Sequence, residues 1–182
     1  MKKLLFIWLV GVLVFLFESC SESRQVKYVF YFIGDGMGVN QVNGTEMYLA
    51  ERDSVIGVKG LSFASFPVRN YATTYSSYHG VTCSAAAGTA LATGEKTKNG
   101  TIGMDKEQKE PLYSVAVRAK EAGRKVGIIT SVGMNHATPA AFYGHQPRRT
   151  MYFELGKDAI EAGFDLYGGG GIIQSVSPND ST

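Results

Sequence analysis

Ser84 stands between a Gly- and Tyr-rich loop and the helix-forming run Ala85-Ala86-Ala87. That order predicts a hydroxyl at or near a helix N-terminus, where unpaired backbone N–H groups and the positive end of the helix dipole face outward. Such a place holds an anion, and phosphate suits it. The same spacing also fits a plain N-cap role for Ser84 or Thr82. Asp35 is the second candidate. It follows the β-forming run Tyr28-Val-Phe-Tyr-Phe-Ile33 and is flanked by Gly34, Gly36 and Gly38, which let a backbone turn tightly beside a metal or a phosphate. A turn carboxylate is the alternative. The third stretch is Asn135-His-Ala-Thr-Pro139, followed by Arg148-Arg149. Thr138 before Pro139 fits an N-cap. A guanidinium fork can hold two phosphate oxygens, or be surface charge.

These stretches together resemble the alkaline phosphatase family. The matching pieces are Gly-Asp-Gly-Met-Gly at 34–38, Thr-Cys-Ser-Ala-Ala at 82–86, Thr-Gly-Glu-Lys-Thr-Lys-Asn-Gly-Thr-Ile-Gly at 93–103 and His-Ala-Thr-Pro-Ala at 136–140. They stand in the family's order and at family-like spacing, and the resemblance covers about residues 27–172. It implies a metal-dependent phosphate monoester hydrolase with two zinc ions and one magnesium ion. Ser84 would attack phosphorus and form a phosphoserine, and would touch metal. Asp35 would bridge a zinc and the magnesium, with Thr138 a second magnesium ligand and His136 acting behind them. Counting without gaps from Thr138 lands the phosphate-clamping arginine on Arg149; a one-residue slip gives Arg148. Many members carry an Asp before the nucleophile to orient this arginine, and here that position is Cys83. Cys83 itself is expected to pack as a small buried residue, with Ser84 as nucleophile. The 93–103 stretch is given no direct chemistry, and His79 is left as a loop residue.

The resemblance covers the N-terminal part of a longer protein. The family's remaining Asp, His and Glu ligands have no counterpart among residues 151–182, so the 182 residues alone are expected to be inactive. Two alternatives stand beside the monoesterase. One is a phosphodiesterase of the same superfamily, and the other a non-catalytic surface lipoprotein that keeps the fold. A sulfatase would need Cys/Ser-x-Pro-x-Arg, which Cys83-Ser-Ala-Ala-Ala lacks.

Composition bounds the rest. With 45% apolar and 19% charged residues, the 182-residue chain reads as globular and large enough for about one domain. A net charge of +2 leaves no concentrated basic face for a nucleic acid. Lys2-Lys3 followed by the apolar run Leu4–Phe17 reads as a signal peptide, too short to span a membrane comfortably. Ser19-Cys20 just beyond it resembles a lipoprotein cleavage site, so residues 1–20 are expected to be a lipoprotein-type signal and residues 21–26 a tether. A lipid on Cys20 would anchor the exported protein to a membrane surface, in the periplasm or at the outer membrane. The expected partners are small phosphate monoesters, and a homodimer is among the assemblies the resemblance allows.

The elements that must position these groups follow the chain. Val26–Ile33 reads as a strand buried on both faces. Val39–Arg52 has helical composition, and Val68–Tyr75 alternates like a strand. Ala85–Thr93 is a helix ended by Gly94, and Pro111–Ala122 an amphipathic helix with Leu112, Val115, Val117 and Ala119 on its apolar side and Gly123 beyond its end. Val126–Thr130 is a strand, Tyr152–Gly163 a helix and Phe164–Tyr167 a short strand. Alternating strands and helices predict an α/β fold, a three-layer α/β/α sandwich with a mostly parallel sheet, with residues 27–182 forming the N-terminal part of the catalytic domain.

Overall fold

The computed structural model describes residues 26–177. The expected signal, the lipidation residue Cys20 and the tether up to residue 25 lie outside them. The chain divides after Ile33 into two units. In the first, residues 26–33 form no strand, and Val29 and Phe32 are 82% and 88% exposed. This corrects the expected buried strand. β-forming side chains make a strand only when a neighbour supplies the hydrogen-bond ladder, and in a parallel sheet that neighbour lies a crossover away in sequence.

The second unit begins with helix α1, Val39–Arg52. The Gln41 side chain accepts from the Gly38 N–H at 3.0 Å and closes its first turn. Ser62–Ser65 forms a single 3-10 turn. Val68–Tyr75 forms no strand and is exposed throughout, which corrects the second strand expectation. Its alternation has no sheet to face.

Helix α2, Ser84–Thr93, is nearly all small residues: Ala85, Ala86, Gly88, Thr89 and Ala92 are buried. Gly94, with φ of 83°, ends it and donates to Ala90. Helix α3, Val115–Glu121, starts later than its apolar pattern suggests, because Ser114 caps it. The Ser114 Oγ accepts from Val117 N–H at 3.1 Å and donates to the Phe142 carbonyl at 2.6 Å. Ala116 and Leu112 face inward, while Val115 is exposed. Gly123, with φ of 75°, follows as the expected terminator.

Strands β1, Gly127–Ile129, and β2, Leu166–Gly168, pair in parallel, with Ile128 opposite Tyr167. Between them run helix α4, Ala137–Ala140, and helix α5, Tyr152–Ala162, which ends at a left-handed Gly163. The result is an α/β fold with a parallel strand pair and helical connections, as the alternation predicts. The core joins Ala85 and Ala86 of α2 to Ala137, Ala140 and Ala141 around α4, with Ile102, Leu155, Phe142, Tyr143 and Phe164. Helices α2 and α4 approach closely because Gly88 presents no side chain. A Cβ there would lie 2.9 Å from the Ala141 Cβ. Among the described residues no helix is long and apolar enough to cross a membrane.

Candidate functional site

Ser84 is the first residue of α2, and Cys83, not Thr82 or Ser84, is the N-cap. The first backbone bond of the helix runs from Ala87 N–H to the Cys83 carbonyl at 2.9 Å. The hydroxyl therefore sits on the opening turn of a 10-residue helix, as the sequence predicts.

Cys83 is not simply a packed small residue, which corrects that expectation. It is half-buried and free, and its Sγ accepts from the Gly100 N–H at 3.1 Å. Burial pushes its thiol up. The amide groups of Ala86, Gly100 and Ala85, together with the Arg149 guanidinium, pull it down further, and the net shift is downward.

Arg149 is half-buried and Arg148 is exposed. The Arg149 backbone N–H donates to the Gly100 carbonyl at 2.7 Å, and its Nη2 lies 3.1 Å from the His136 Nε2. A guanidinium can only donate, so Nε2 accepts and the ring proton sits on Nδ1. Burial lowers the His136 pKa first and Arg149 lowers it further, while Asp35 opposes them. A neutral imidazole results, which is what a neighbouring cation requires. His136 thus holds one arm of the Arg149 guanidinium.

Thr138 lies in the first turn of α4, whose N-cap is His136. The N-cap role at Thr138 is therefore corrected. Pro139 is tolerated as the third helical residue because its missing N–H would have no intrahelical acceptor there. The Thr138 hydroxyl donates to the Asp35 Oδ2 at 2.9 Å, across 103 positions of sequence. A carboxylate and a hydroxyl side by side are hard oxygen donors that suit magnesium. Zinc is different: the described residues hold no cluster of three or more His, Cys, Asp or Glu side chains. They therefore do not by themselves fit a zinc site.

Asn135, just before this segment, is 1% exposed. Its side chain donates to the Tyr152 and Ile173 carbonyls, each at 2.7 Å, and accepts from Ile173 N–H at 2.8 Å. This ties the start of α4 to α5 and to the chain after β2. Sequence reasoning missed Asn135. It also missed Asn99 and Gly100, although Asn-Gly is a turn signal and Gly100 has φ of 90°. His79 donates from its backbone N–H to Ser76 Oγ at 3.1 Å, a local loop contact.

The fold and the site define a class: an α/β protein with a serine at the start of a helix, an arginine bonded to the loop that touches the cap of that helix, and a hard-oxygen pair made by Thr138 of the neighbouring helix and Asp35 of the turn before α1. Comparison with known proteins sharpens this. The family model for alkaline phosphatase matches residues 26–168, and the chain belongs to the alkaline phosphatase family. It is 35% identical over 154 residues to an alkaline phosphatase of Gadus morhua, covering 78% of this chain and 32% of that protein. The crystal structure of Thermus thermophilus alkaline phosphatase superposes with a TM-score of 0.67 at 30% identity, over 80% of this chain and 30% of that one. A magnesium-bound variant of the TAB5 alkaline phosphatase superposes with a TM-score of 0.51 at 33% identity, over 52% and 27%. The chain thus spans about a third of the length of the relatives it matches.

Proposed function

We propose that the protein hydrolyses phosphate monoesters through Ser84. The observation that carries this reading is the placement of Ser84 on the opening turn of α2, with Arg149 and the preceding Cys83 both bonded to Gly100. A monoester dianion repels anionic nucleophiles, so catalysis is mostly positioning and charge neutralisation. The Ser84 Oγ attacks phosphorus, the ester oxygen leaves with the bond electrons, and the hydroxyl proton passes to solvent or a base. Water then releases phosphate from the phosphoserine. The helix N-terminus and the Arg149 fork neutralise the non-bridging oxygens. His136, kept neutral, holds one arm of that fork.

Asp35 and Thr138 would hold a magnesium ion, which would supply positive charge to offset the negative charge of a phosphate when bound. Two zinc ions belong to the same reading by family membership. The described residues do not assemble their donors. For the same reason the 182-residue chain alone is expected to be inactive. The reading also carries export and a lipid on Cys20, which palmitate labelling of the wild type against Cys20→Ser tests.

The experiment is p-nitrophenyl phosphate hydrolysis by the whole gene product with zinc and magnesium, beside Ser84→Ala. Activity that collapses in the variant and with chelator supports the reading. Unchanged activity in Ser84→Ala overturns Ser84 as nucleophile. Faster turnover of bis-p-nitrophenyl phosphate makes the protein a diesterase.

A further inference from the structure

The stretch 93–103 matches the family but has no chemical role in the reading above. Its geometry supplies one. The Asn99 carboxamide straddles the entry to α2. Its Oδ1 accepts from the Cys83 N–H at 3.1 Å, and its Nδ2 donates to the Val81 carbonyl at 3.0 Å. It acts as a one-residue strand partner for the segment that delivers Ser84. The next residue, Gly100, donates to the Cys83 Sγ at 3.1 Å and accepts from the Arg149 N–H at 2.7 Å. One dipeptide therefore touches the residue before the serine and the backbone of the arginine.

The loop that carries this dipeptide is fastened on both sides. Thr97, Thr101 and Ile102 are fully buried. The Thr97 hydroxyl donates to the Asp105 carbonyl at 3.0 Å, and Gln108 Nε2 donates to both Thr101 Oγ1 at 2.8 Å and the Pro147 carbonyl at 2.7 Å. Ile102 pairs with Gln146 through two 2.9 Å backbone bonds, and the Gly103 N–H donates to Thr89 Oγ1 of α2 at 3.0 Å. The exposed Asn99 side chain thus projects from an anchored base. A polar side chain bonded to a mobile loop could not set the position of a neighbour, whereas this one can.

We propose that Asn99 is a positioning residue for the nucleophile: its carboxamide fixes the Val81–Cys83 backbone and so sets where the Ser84 hydroxyl points. This rests on the reading of Ser84 as nucleophile. Asn99 touches no substrate and acts only through Cys83. A misplacement of about 1 Å at the reacting atoms can cost on the order of 100-fold in rate. Loss of Asn99 leaves Arg149 its own bond to Gly100, so substrate binding should suffer less than turnover.

The test compares the whole gene product with Asn99→Ala and Asn99→Gln, with Gln offering a carboxamide on a longer arm. Two quantities are read: steady-state kinetics on p-nitrophenyl phosphate, and backbone amide exchange of short peptides across 80–88 by mass spectrometry. For Asn99→Ala the expected result is a kcat lower by about 10- to 100-fold with KM changed less than threefold. Faster exchange confined to 80–88 should accompany it, with partial recovery of both in Asn99→Gln. Unchanged exchange, or faster exchange with unchanged kcat, overturns the proposal. Loss of the fold, seen as faster exchange across α5 as well, would make Asn99 a general stability residue and also overturns it. If the wild type is inactive, the monoesterase reading fails separately, and the exchange result still decides whether Asn99 holds the turn.

Discussion

Three glycines lie inside helices with ordinary negative φ, and the same substitution should act on them with different signs. Replacing Gly by Ala inside a helix gains about 0.5–1 kcal/mol through backbone entropy and propensity. Gly44 in α1 is exposed, and nothing lies within 4 Å of a Cβ built there. Gly44→Ala should show the full gain. At Gly156 in α5 the nearest atom is the Asn135 Nδ2 at 3.7 Å, an ordinary contact, so Gly156→Ala should also stabilise. At Gly88 the new methyl would meet the Ala141 Cβ at 2.9 Å. Carbon atoms settle at about 3.5–4.0 Å, so α2 and the end of α4 must part by roughly 0.6–1 Å. The neighbour is itself a Cβ and cannot swing away. Overpacking of this kind costs about 1–3 kcal/mol, which exceeds the helical gain. Gly88→Ala should therefore be neutral to about 2 kcal/mol destabilised, and about 1–3 kcal/mol less stable than Gly44→Ala. Urea unfolding of the three variants, followed by circular dichroism, measures the difference. If Gly88→Ala proves as stabilising as Gly44→Ala, then α2 and α4 are not packed as described, with Gly88 against Ala141 and Thr138.

Two further predictions concern pH. Asp165 binds Lys125 Nζ at 2.8 Å, the Val126 N–H at 2.9 Å and Lys120 Nζ at 3.1 Å, which holds its carboxyl well below the usual range. A depressed carboxylate pKa stabilises the fold above the unfolded value of about 4, and that contribution fades as pH falls below it. Asp165→Asn should lower the melting temperature at neutral pH, with the gap to wild type closing in acid; a gap that widens in acid would refute the assignment. Cys83, in a Cys20→Ser background where it is the single thiol, should be alkylated with a midpoint below that of an ordinary cysteine. Arg149→Met removes one of the groups that favour the thiolate and should move the midpoint up. An unmoved midpoint would mean that the guanidinium does not reach the sulfur.

What could be read from the chain alone is what short-range geometry dictates. Val39–Arg52 is a helix with the expected bounds, and the helix before Gly94 and the one before Gly163 end where a left-handed glycine stops them. Each depends on hydrogen bonds four residues apart, so residue type and capping suffice. Ser84 falls on a helix start for the same reason. The run Gly127–Ile129 is a strand, but Val26–Ile33 and Val68–Tyr75, equally rich in β-formers, are not. A ladder needs a partner strand, which in a parallel sheet is distant in sequence, and nothing in a single run reveals one. The site shows the same division. Its residue types were legible, while the contacts that assemble it were not: Thr138 to Asp35 across 103 positions, Asn99 to Cys83 across 16, and Arg149 to His136 across 13. That Arg149 is half-buried against His136 while Arg148 is exposed is likewise set by packing. Helix formation is decided within a turn of chain, whereas a side chain finds its partner only after the loops between them have closed and the core has fixed their separation.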